Sequence, residues 1–258
     1  MPRPSKLIGS VERAFDILNL FDGHSPELGM TEIARALGLH KSTVASLIYT
    51  LEARGYLNQN PVTRKYRLGL KLVERASVVL SHVEIRQVAI PHLQVLRDEF
   101  DESVNLAILD GAYVVYVERR VGTRALGVRT EVGKREPAHS TALGKAILSC
   151  LPKTEVETFI KQHGLPQVTS QTITSPDRLR RELDETRERG FAIDDEESEL
   201  GERCVAAPIF DHAGRVAAAV SVSAPVPRLP MQEIPRFGVQ VRKTAEAISR
   251  SLGYSPLA

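Results

Sequence analysis

The pattern of apolar and polar positions between His40 and Leu57 predicts an amphipathic helix. Its apolar residues recur at the 3.6-residue period of an α-helix and therefore share one stripe. The predicted buried stripe consists of Val44, Leu47, Ile48 and Leu51. The opposite side carries Ser42, Ser46, Tyr49 and Thr50, with Lys41 at the helix start. This surface of short hydrogen-bonding side chains indicates contact with a polar, negatively charged partner.

Two shorter helices are predicted before this one. The first has Ser10 as its N-cap and runs to about Phe21. Its predicted buried side consists of Val11, Ala14, Phe15 and Leu18. The second is capped by Thr31 and ends at Gly38, with Ile33, Ala34 and Leu37 facing inward. Only residues 39–41 separate it from the next helix, which predicts a helix-turn-helix unit whose second helix enters the DNA major groove.

A basic hairpin is predicted directly after these helices, in residues 58–69. Pro61 lies in its turn, and Arg64, Lys65 and Arg67 cluster beside it. A hairpin in this position is typical of a wing that contacts DNA phosphates or the minor groove. Residues 70–83 predict a further helix, whose apolar stripe indicates a dimer contact or an interdomain linker. That stripe consists of Leu72, Ala76, Val79 and Leu80.

The remaining sequence, from about residue 84, predicts an α+β domain on a mostly antiparallel sheet. It opens with a helix that Pro91 is expected to kink or to split in two. Hairpin-linked strands and helices then alternate. The predicted strands are 103–109, 113–120, 191–196, 203–210 and 214–224, and the predicted helices are 141–151, 176–189 and 231–252.

Composition narrows the functional classes. With 258 residues, 42% hydrophobic and 26% charged, the chain is typical of a globular protein of one or two domains. Residues 1–80 hold 11 Lys and Arg against 7 Asp and Glu, a net charge of +4, whereas the remainder has a net charge of −2. This asymmetry favours a nucleic-acid contact in the first third. Two cysteines, no apolar run of membrane-spanning length and no signal-peptide core at the N-terminus predict a cytoplasmic protein.

Eight motifs, in order from Ile8 to Leu252, resemble the IclR family of bacterial transcription regulators. They are SVERAFDIL, TEIARALGLHKSTV, LEARGYL, RKYRLGLKL, HSTALGKAIL, FAIDDEE, GERCVAAPIFD and GRVAAAVSVSAP. The resemblance implies a winged helix-turn-helix in residues 1–69, a linker helix in 70–83 and a GAF-like effector-binding domain in 84–258. It also implies a homodimer or a dimer of dimers on double-stranded operator DNA, with a small effector bound by the C-terminal domain.

The candidate DNA contacts follow from the predicted helix face and wing. One departure from the family is that Ala45 and Ser46 follow KSTV, where many relatives carry a large polar or basic pair. The operator of a relative is therefore not expected to be the operator of this protein. The candidate contacts are Thr31, Lys41, Ser42, Thr43, Ser46, Tyr49, Arg64 and Lys65.

The candidate effector site combines the start of a helix with polar strand residues. Small residues in HSTALGKA leave backbone N–H groups available to a carboxylate at the positive end of the helix dipole. Ser221 and Ser223 are two residues apart in a strand, so their hydroxyls share a face. The family pattern adds the other positions, which are Ala142, Leu143, Asp194 and Cys204. These groups fit a 2-oxo acid, a sugar-derived keto acid or a compact aromatic acid, with no metal and no cofactor.

Two other functional classes compete with this interpretation. Cys204, His139 and Asp194 could form a nucleophile, a base and its orienting group, or could hold zinc. However, the sequence has no CxxC or HxxxH spacing and no GxSxG elbow. A ligand-free architectural DNA-binding protein is disfavoured because dimerisation alone needs far fewer than 175 residues. The sequence therefore predicts a ligand-responsive regulator, in particular a repressor of a catabolic operon, and no enzyme activity.

Overall fold

The structure, a computed structural model, describes residues 7–22, 25–81, 84–124 and 131–255. Its contacts divide the chain into two units, Met1–His82 and Val83–Ala258. Within the described ranges, no helix has both the length and the apolar character needed to cross a membrane. Residues 82–83 of the predicted linker helix lie outside the described part. The side chains of Val79 and Leu80, two members of its predicted apolar stripe, also lie outside it.

The first unit is a three-helix cluster followed by a two-stranded hairpin and a fourth helix. Its core contains Ile17, Ile33, Val44, Ile48 and Leu57, all almost inaccessible to solvent. The antiparallel strands β1 (Leu57–Gln59) and β2 (Tyr66–Leu68) form the hairpin, and residues 60–65 form its turn. The elements are α1 (Gly9–Asn19), α2 (Met30–Leu37), α3 (Lys41–Ala53), β1 (Leu57–Gln59), β2 (Tyr66–Leu68) and α4 (Lys71–Ser81).

The predicted start of α1 is wrong, and its predicted buried face is wrong at Val11 and Phe15 but confirmed at Ala14 and Leu18, which are partly buried against the core. Ser10 lies inside the helix, and the N-cap is Ile8, which makes no side-chain capping bond. Val11 and Phe15 are 47% and 61% exposed, whereas Ile17 is fully buried. Ala14 and Leu18 follow a helical period together with the buried Ile17 and Phe21. Two apolar stripes overlap in this short helix, and packing against α2 and α3 selects the second one.

The cap predicted for α2 is also wrong, although its end is confirmed. Gly29 is the N-cap, and Thr31 lies exposed in the first turn. Glu32 takes over the capping role, because its carboxylate accepts a 2.6 Å hydrogen bond from the Gly29 N–H. At the other end Gly38 has φ = 64°, a left-handed conformation that suits glycine and turns the chain toward α3.

The second unit has a six-stranded sheet between two helical layers, which confirms the predicted α+β class. All neighbouring strands in the sheet are antiparallel, in the order β5-β4-β3-β8-β7-β6. Helices α5 and α9 pack on one face, and α6, α7 and α8 pack on the other. The strands are β3 (Ser103–Asp110), β4 (Tyr113–Arg120), β5 (Arg135–Pro137), β6 (Ala192–Asp195), β7 (Glu202–Phe210) and β8 (Val216–Pro225). The helices are α5 (Glu84–Phe100), α6 (Ala142–Ser149), α7 (Lys153–His163), α8 (Pro176–Arg189) and α9 (Ile234–Ser251), with a 3-10 turn at Met231–Glu233.

Helix α5 runs through Pro91 without a break, so the predicted possibility of two helices is wrong. Ala89 and Leu93 on either side of the proline are fully buried in the core, and this packing offsets the lost hydrogen bond.

At the start of α6, Gly144 allows a close approach to the preceding segment, since a Cβ there would lie 2.1 Å from the Ala138 carbonyl oxygen. This contact fixes where α6 begins over the sheet.

Candidate functional site

The polar face of α3 is exposed as the sequence predicted. Val44, Ile48 and Leu51 are buried and Leu47 is partly buried, while Tyr49 on the other side is 74% exposed. Ser46 Oγ donates a 3.2 Å hydrogen bond to the Ser42 carbonyl, and Thr50 Oγ1 donates a 2.9 Å bond to the Ser46 carbonyl. Such bonds to the preceding turn hold the hydroxyls close to the helix, and their oxygens remain able to accept hydrogen bonds from a ligand.

A histidine cap that sequence reasoning missed fixes the start of α3. The Nδ1 atom of His40 lies 2.8 Å from Ser42 Oγ and accepts a longer, 3.4 Å bond from the Ser42 N–H. Ser42 is therefore partly committed to the cap, although it remains exposed. Lys41 and Thr43 lie on the same first turn, and Lys41 is exposed. The helix thus presents its N-terminal turn and one hydroxyl-bearing face to solvent.

The hairpin carries its basic residues in different environments. Lys65 Nζ lies 3.4 Å from Glu32 Oε2, so one positive charge of the wing already has a partner on α2. Arg64 is exposed and has φ = 59°, which places its backbone in the left-handed region. Asn60 organises the turn, because its side-chain oxygen accepts hydrogen bonds from the Val62 and Thr63 N–H groups. Arg64 is therefore an exposed wing cation that can meet a phosphate.

We expect Arg64→Asn to weaken binding to DNA of any sequence. Asparagine tolerates the left-handed backbone at this position, so the substitution removes the charge without straining the turn. If Arg64 neutralises one phosphate, the slope of log K against log salt concentration falls by about 0.9. Fluorescence anisotropy across a salt series measures this slope, with Arg181→Gln on the exposed surface of α8 as the control. An unchanged slope would place Arg64 away from the phosphates.

The sheet aligns the four polar residues of the candidate effector site on one face. Asp194 in β6 is paired with Cys204 in β7, and Cys204 is paired with Ser223 in β8. Asn105 in β3 faces Ser221, and its side-chain nitrogen donates to both Ser221 Oγ (3.4 Å) and Ser223 Oγ (3.3 Å). All five residues are buried. Asn105 is a site residue that sequence reasoning missed, although its alternation with Ser103 in β3 could have indicated it.

The start of α6 lies over the same face of the sheet. Ala142 and Leu143 belong to the hydrophobic cluster that also contains Cys204. Thr141 is the N-cap, and its hydroxyl oxygen accepts a 3.1 Å bond from the Gly144 N–H. Among the described residues, the N–H groups of Ala142 and Leu143 have no hydrogen-bond partner. The first turn of α6 therefore keeps two donors at the positive end of the helix dipole.

Asp194 is engaged mainly within the protein. Its Oδ1 accepts from the N–H groups of Glu197 (2.8 Å) and Ser198 (3.2 Å), and its Oδ2 accepts from Ser198 Oγ (2.5 Å). Burial raises the pKa of Asp194 to about 7, while Lys145 and the Ser198 hydroxyl act in the opposite direction. Asp194 thus stabilises the turn between β6 and β7 and is one of the polar residues that line the candidate site.

Further acidic groups, which sequence reasoning did not assign to the site, extend this face. Glu202 Oε1 accepts a 3.2 Å hydrogen bond from Cys204 Sγ, and burial raises the pKa of Glu202 to about 7. Tyr116 OH donates a 2.6 Å bond to Glu136 Oε2. Glu202, Cys204 and Ala206 alternate along β7, and this period of two is the signal in the sequence that could have found Glu202.

The geometry does not assemble the catalytic group that Cys204, His139 and Asp194 could have formed. His139 Nε2 lies 3.0 Å from the Pro166 carbonyl oxygen, and the Asp194 carboxylate binds the 197–198 turn. Burial raises the pKa of Cys204 well above its ordinary value, which disfavours the nucleophilic thiolate. Within the described ranges, no group of three or more His, Cys, Asp or Glu side chains is arranged to hold a metal ion.

Comparisons with known proteins identify a family for both the helix-turn-helix unit and the unit that contains the candidate effector site. Residues 10–61 match the family model "IclR helix-turn-helix domain", and residues 77–250 match "Bacterial transcriptional regulator IclR C-terminal". The chain is 41% identical to the regulator XynR of Escherichia coli over 248 residues, which cover 96% of this chain and 98% of XynR. It is 30% identical to the E. coli transcriptional repressor IclR, with 95% of this chain and 90% of that protein covered.

A solved structure extends the similarity to the fold. It is an IclR homologue from Microbacterium hydrocarbonoxydans in complex with 4-hydroxybenzoate. The TM-score is 0.83 at 26% sequence identity, with 95% of this chain and 100% of that chain covered. XynR is named as a transcriptional regulator and IclR as a transcriptional repressor, in agreement with the prediction that the chain is not an enzyme.

Proposed function

Because the chain belongs to the IclR family of transcriptional regulators, we propose that it is an acid-responsive repressor of a catabolic operon. Residues 1–69 would bind operator DNA, residues 70–83 would form the linker helix, and residues 84–258 would form the GAF-like effector-binding domain. The observation that carries the proposal is the exposed hydroxyl face of α3, which sits in a helix-turn-helix with a basic wing after it. These hydroxyl side chains do not contribute to the hydrophobic core of the first unit, so they are available to bind a partner.

The DNA-binding part of the proposal assigns two kinds of contact. Lys41, Ser42, Thr43, Ser46 and Tyr49 would meet base edges and phosphates in the major groove, and Arg64 and Lys65 would meet phosphates beside it. Thr31, in the exposed first turn of α2, would contact the backbone across the groove. Because Ser46 is short, base readout at this position would use a single hydroxyl or a bridging water.

The effector part of the proposal places a small organic acid between α6 and the sheet. Its carboxylate would accept from the N–H groups of Ala142 and Leu143, and its polar substituents would meet Asp194, Cys204, Ser221 and Ser223. The complex of the Microbacterium homologue with 4-hydroxybenzoate supports an acid as the ligand class. Asn105 would orient both serine hydroxyls, since it donates to the oxygen atom of each.

The regulatory mechanism is a coupling between the two sites. We propose that the protein acts in the cytoplasm as a homodimer or a dimer of dimers, and that the acid favours one arrangement of its DNA-binding units. If the acid changes operator affinity by some factor, operator DNA must change acid affinity by the same factor. This reciprocity gives the mechanism a quantitative test.

The deciding experiment measures binding of the full chain to the DNA upstream of its own gene, across salt concentrations and with or without saturating acids. We expect specific, salt-sensitive binding that one class of acid changes. Identical operator-binding curves with and without every acid would contradict the effector role while leaving DNA recognition intact. Equal affinity for operator and unrelated DNA at all salt concentrations would contradict the regulator proposal.

A further inference from the structure

A second cavity lies at the end of α6 that points away from the candidate effector site. Its volume is about 470 Å³, which is within the usual range of small-molecule sites. The described residues that line it come from α6, β7, α8, α9 and the segment after α9, and they differ from the candidate effector residues. Because α6 carries Ala142 and Leu143 at its start and Cys150 at its end, about 10 Å of helix separates the two sites.

The cavity lies beside β7 where its neighbour β6 has already ended. Strand β6 pairs with residues 203–206 of β7, which leaves Pro208 and Phe210 beyond the end of β6. Pro208 has no N–H group, and the Phe210 N–H donates a 2.9 Å hydrogen bond to Ser249 Oγ on α9. These two positions therefore offer no free N–H group to an added strand, and the space beside them suits a small molecule.

Aromatic rings and aliphatic carbons form much of the cavity wall. Phe210 and Tyr254 are stacked, with 5.1 Å between their ring centroids, and both rings are only partly buried. The aliphatic part of Arg242 packs over Gly190, where a Cβ would lie 2.9 Å from Arg242 Cδ. An aromatic ring of a ligand would gain contacts with the stacked pair, so the wall favours an apolar, ring-bearing body.

The polar wall of the cavity is a stripe of α9 with a net positive charge. Arg242, Glu246 and Arg250 recur every four residues and share one face of the helix. Arg242 Nε lies 3.5 Å from Glu246 Oε1, and Arg187 on α8 is paired with Asp184 at 2.6 Å. Among the described residues, the Arg250 guanidinium has no hydrogen bond and no ion pair. One positive charge therefore remains for an anionic group of a ligand.

The helix ends beside the cavity are already satisfied by donors of the chain. Helices α6, α8 and α9 all end there, and the negative ends of their dipoles would otherwise attract a cation. The Ser149 carbonyl of α6 accepts a 2.8 Å bond from Arg187 Nε, and the Ser249 carbonyl of α9 accepts a 2.9 Å bond from the Tyr254 N–H. The Gly190 N–H closes the end of α8 in the same way. Arg250 is thus the charge that a ligand can meet.

We propose that this cavity is a second ligand site, which binds an aromatic monocarboxylate. The ring would pack against Phe210 and Tyr254, and the carboxylate would accept charge-assisted hydrogen bonds from Arg250. A single unpaired guanidinium matches one negative charge, so a monoanion fits better than a phosphate monoester with its nearly two charges. Binding here does not depend on the proposed acid site at the start of α6.

The test measures how 2-naphthoate protects Cys150 of the full chain from alkylation by N-ethylmaleimide, with peptide mass spectrometry as the readout. Cys150 lines this cavity and Cys204 lies in the candidate effector site, so the two thiols report on the two sites separately. We expect saturable protection of Cys150, and the uncharged 2-naphthamide should need an about fivefold higher concentration. Arg250→Gln should raise the 2-naphthoate concentration for half-protection about fivefold. Arg181→Gln, exposed on α8 outside the cavity, should leave it unchanged.

Glu246→Gln supplies a second variant, whose expected effect is a gain. Removal of this carboxylate frees Arg242 and removes repulsion of the ligand, so half-protection should move to an about twofold lower concentration. A misfolded variant cannot produce this gain. Equal protection by 2-naphthoate and 2-naphthamide, or an unchanged half-protection in both Arg250→Gln and Glu246→Gln, overturns the proposal. Protection of Cys204 without protection of Cys150 assigns the acid to the candidate effector site and overturns a second site as well.

Discussion

Ser46→Glu is expected to lower operator affinity on the order of 100-fold, as measured by fluorescence anisotropy at fixed salt. Ser46 lies in the middle of the exposed face of α3, about one and a half turns from Lys41 at the helix start. A carboxylate there would face the negative potential of the DNA groove, and its length would separate the helix from the bases. Stability should change little, because the serine is exposed and, among the described residues, its side chain makes one hydrogen bond, to the preceding turn.

Thr158→Glu is the matched control for this substitution. Thr158 is exposed on α7 in the other unit, and its hydroxyl donates to the Thr154 carbonyl, as Ser46 does to that of Ser42. Both variants therefore lose the same kind of hydrogen bond and gain the same charge. Operator affinity should remain unchanged in Thr158→Glu. Equal losses in the two variants would indicate a general charge effect and contradict the assignment of α3 as the recognition helix.

Lys145→Met is expected to cost about 3–5 kcal/mol of the free energy of unfolding, because it breaks a buried ion pair. Lys145 is 1% exposed, and its Nζ contacts Glu197 Oε1 and lies 3.8 Å from Glu182 Oε1. Burial raises the pKa of Glu197, and Lys145 counteracts that shift. Without the lysine, the carboxylate is left buried and uncompensated. Protonation of Glu197 at lower pH neutralises it, so the cost should shrink as the pH falls.

Urea unfolding of the full chain, followed by circular dichroism at pH 8 and at pH 5, measures this cost. Lys161→Met removes an exposed lysine from α7 and should change stability by less than about 0.5 kcal/mol. The double variant Lys145→Met with Glu197→Gln should recover much of the loss, because no buried charge remains. A Lys145→Met variant as stable as Lys161→Met at both pH values would contradict a structural role for the pair.

The sequence by itself determined the elements whose signals are local. The face of α3 follows from a 3.6-residue period over 13 residues, and Gly38 follows from the left-handed conformation that ends a helix. Strands β3 and β4 follow from apolar runs around the tight turn at Gly111. Ser221 and Ser223 were placed on one face by the two-residue period of β8 alone. In each case, neighbouring residues carry the information, so no tertiary contact is needed to read it.

Only the tertiary structure decided the features that depend on residues distant in sequence. Packing against α2 and α3 chose Ile17 over Val11 and Phe15 as the buried side of α1, and core packing kept α5 continuous through Pro91. Strand register brought Asn105 to the two serines, although more than 100 residues separate Asn105 from Ser221. A linear pattern gives the face on which a side chain lies, but the partner on that face is set by which strands pair and in which register. Most of the helices and strands are therefore predictable from the sequence, although α7 and β5 were not predicted, whereas the chemistry of the candidate effector site arises when the sheet assembles.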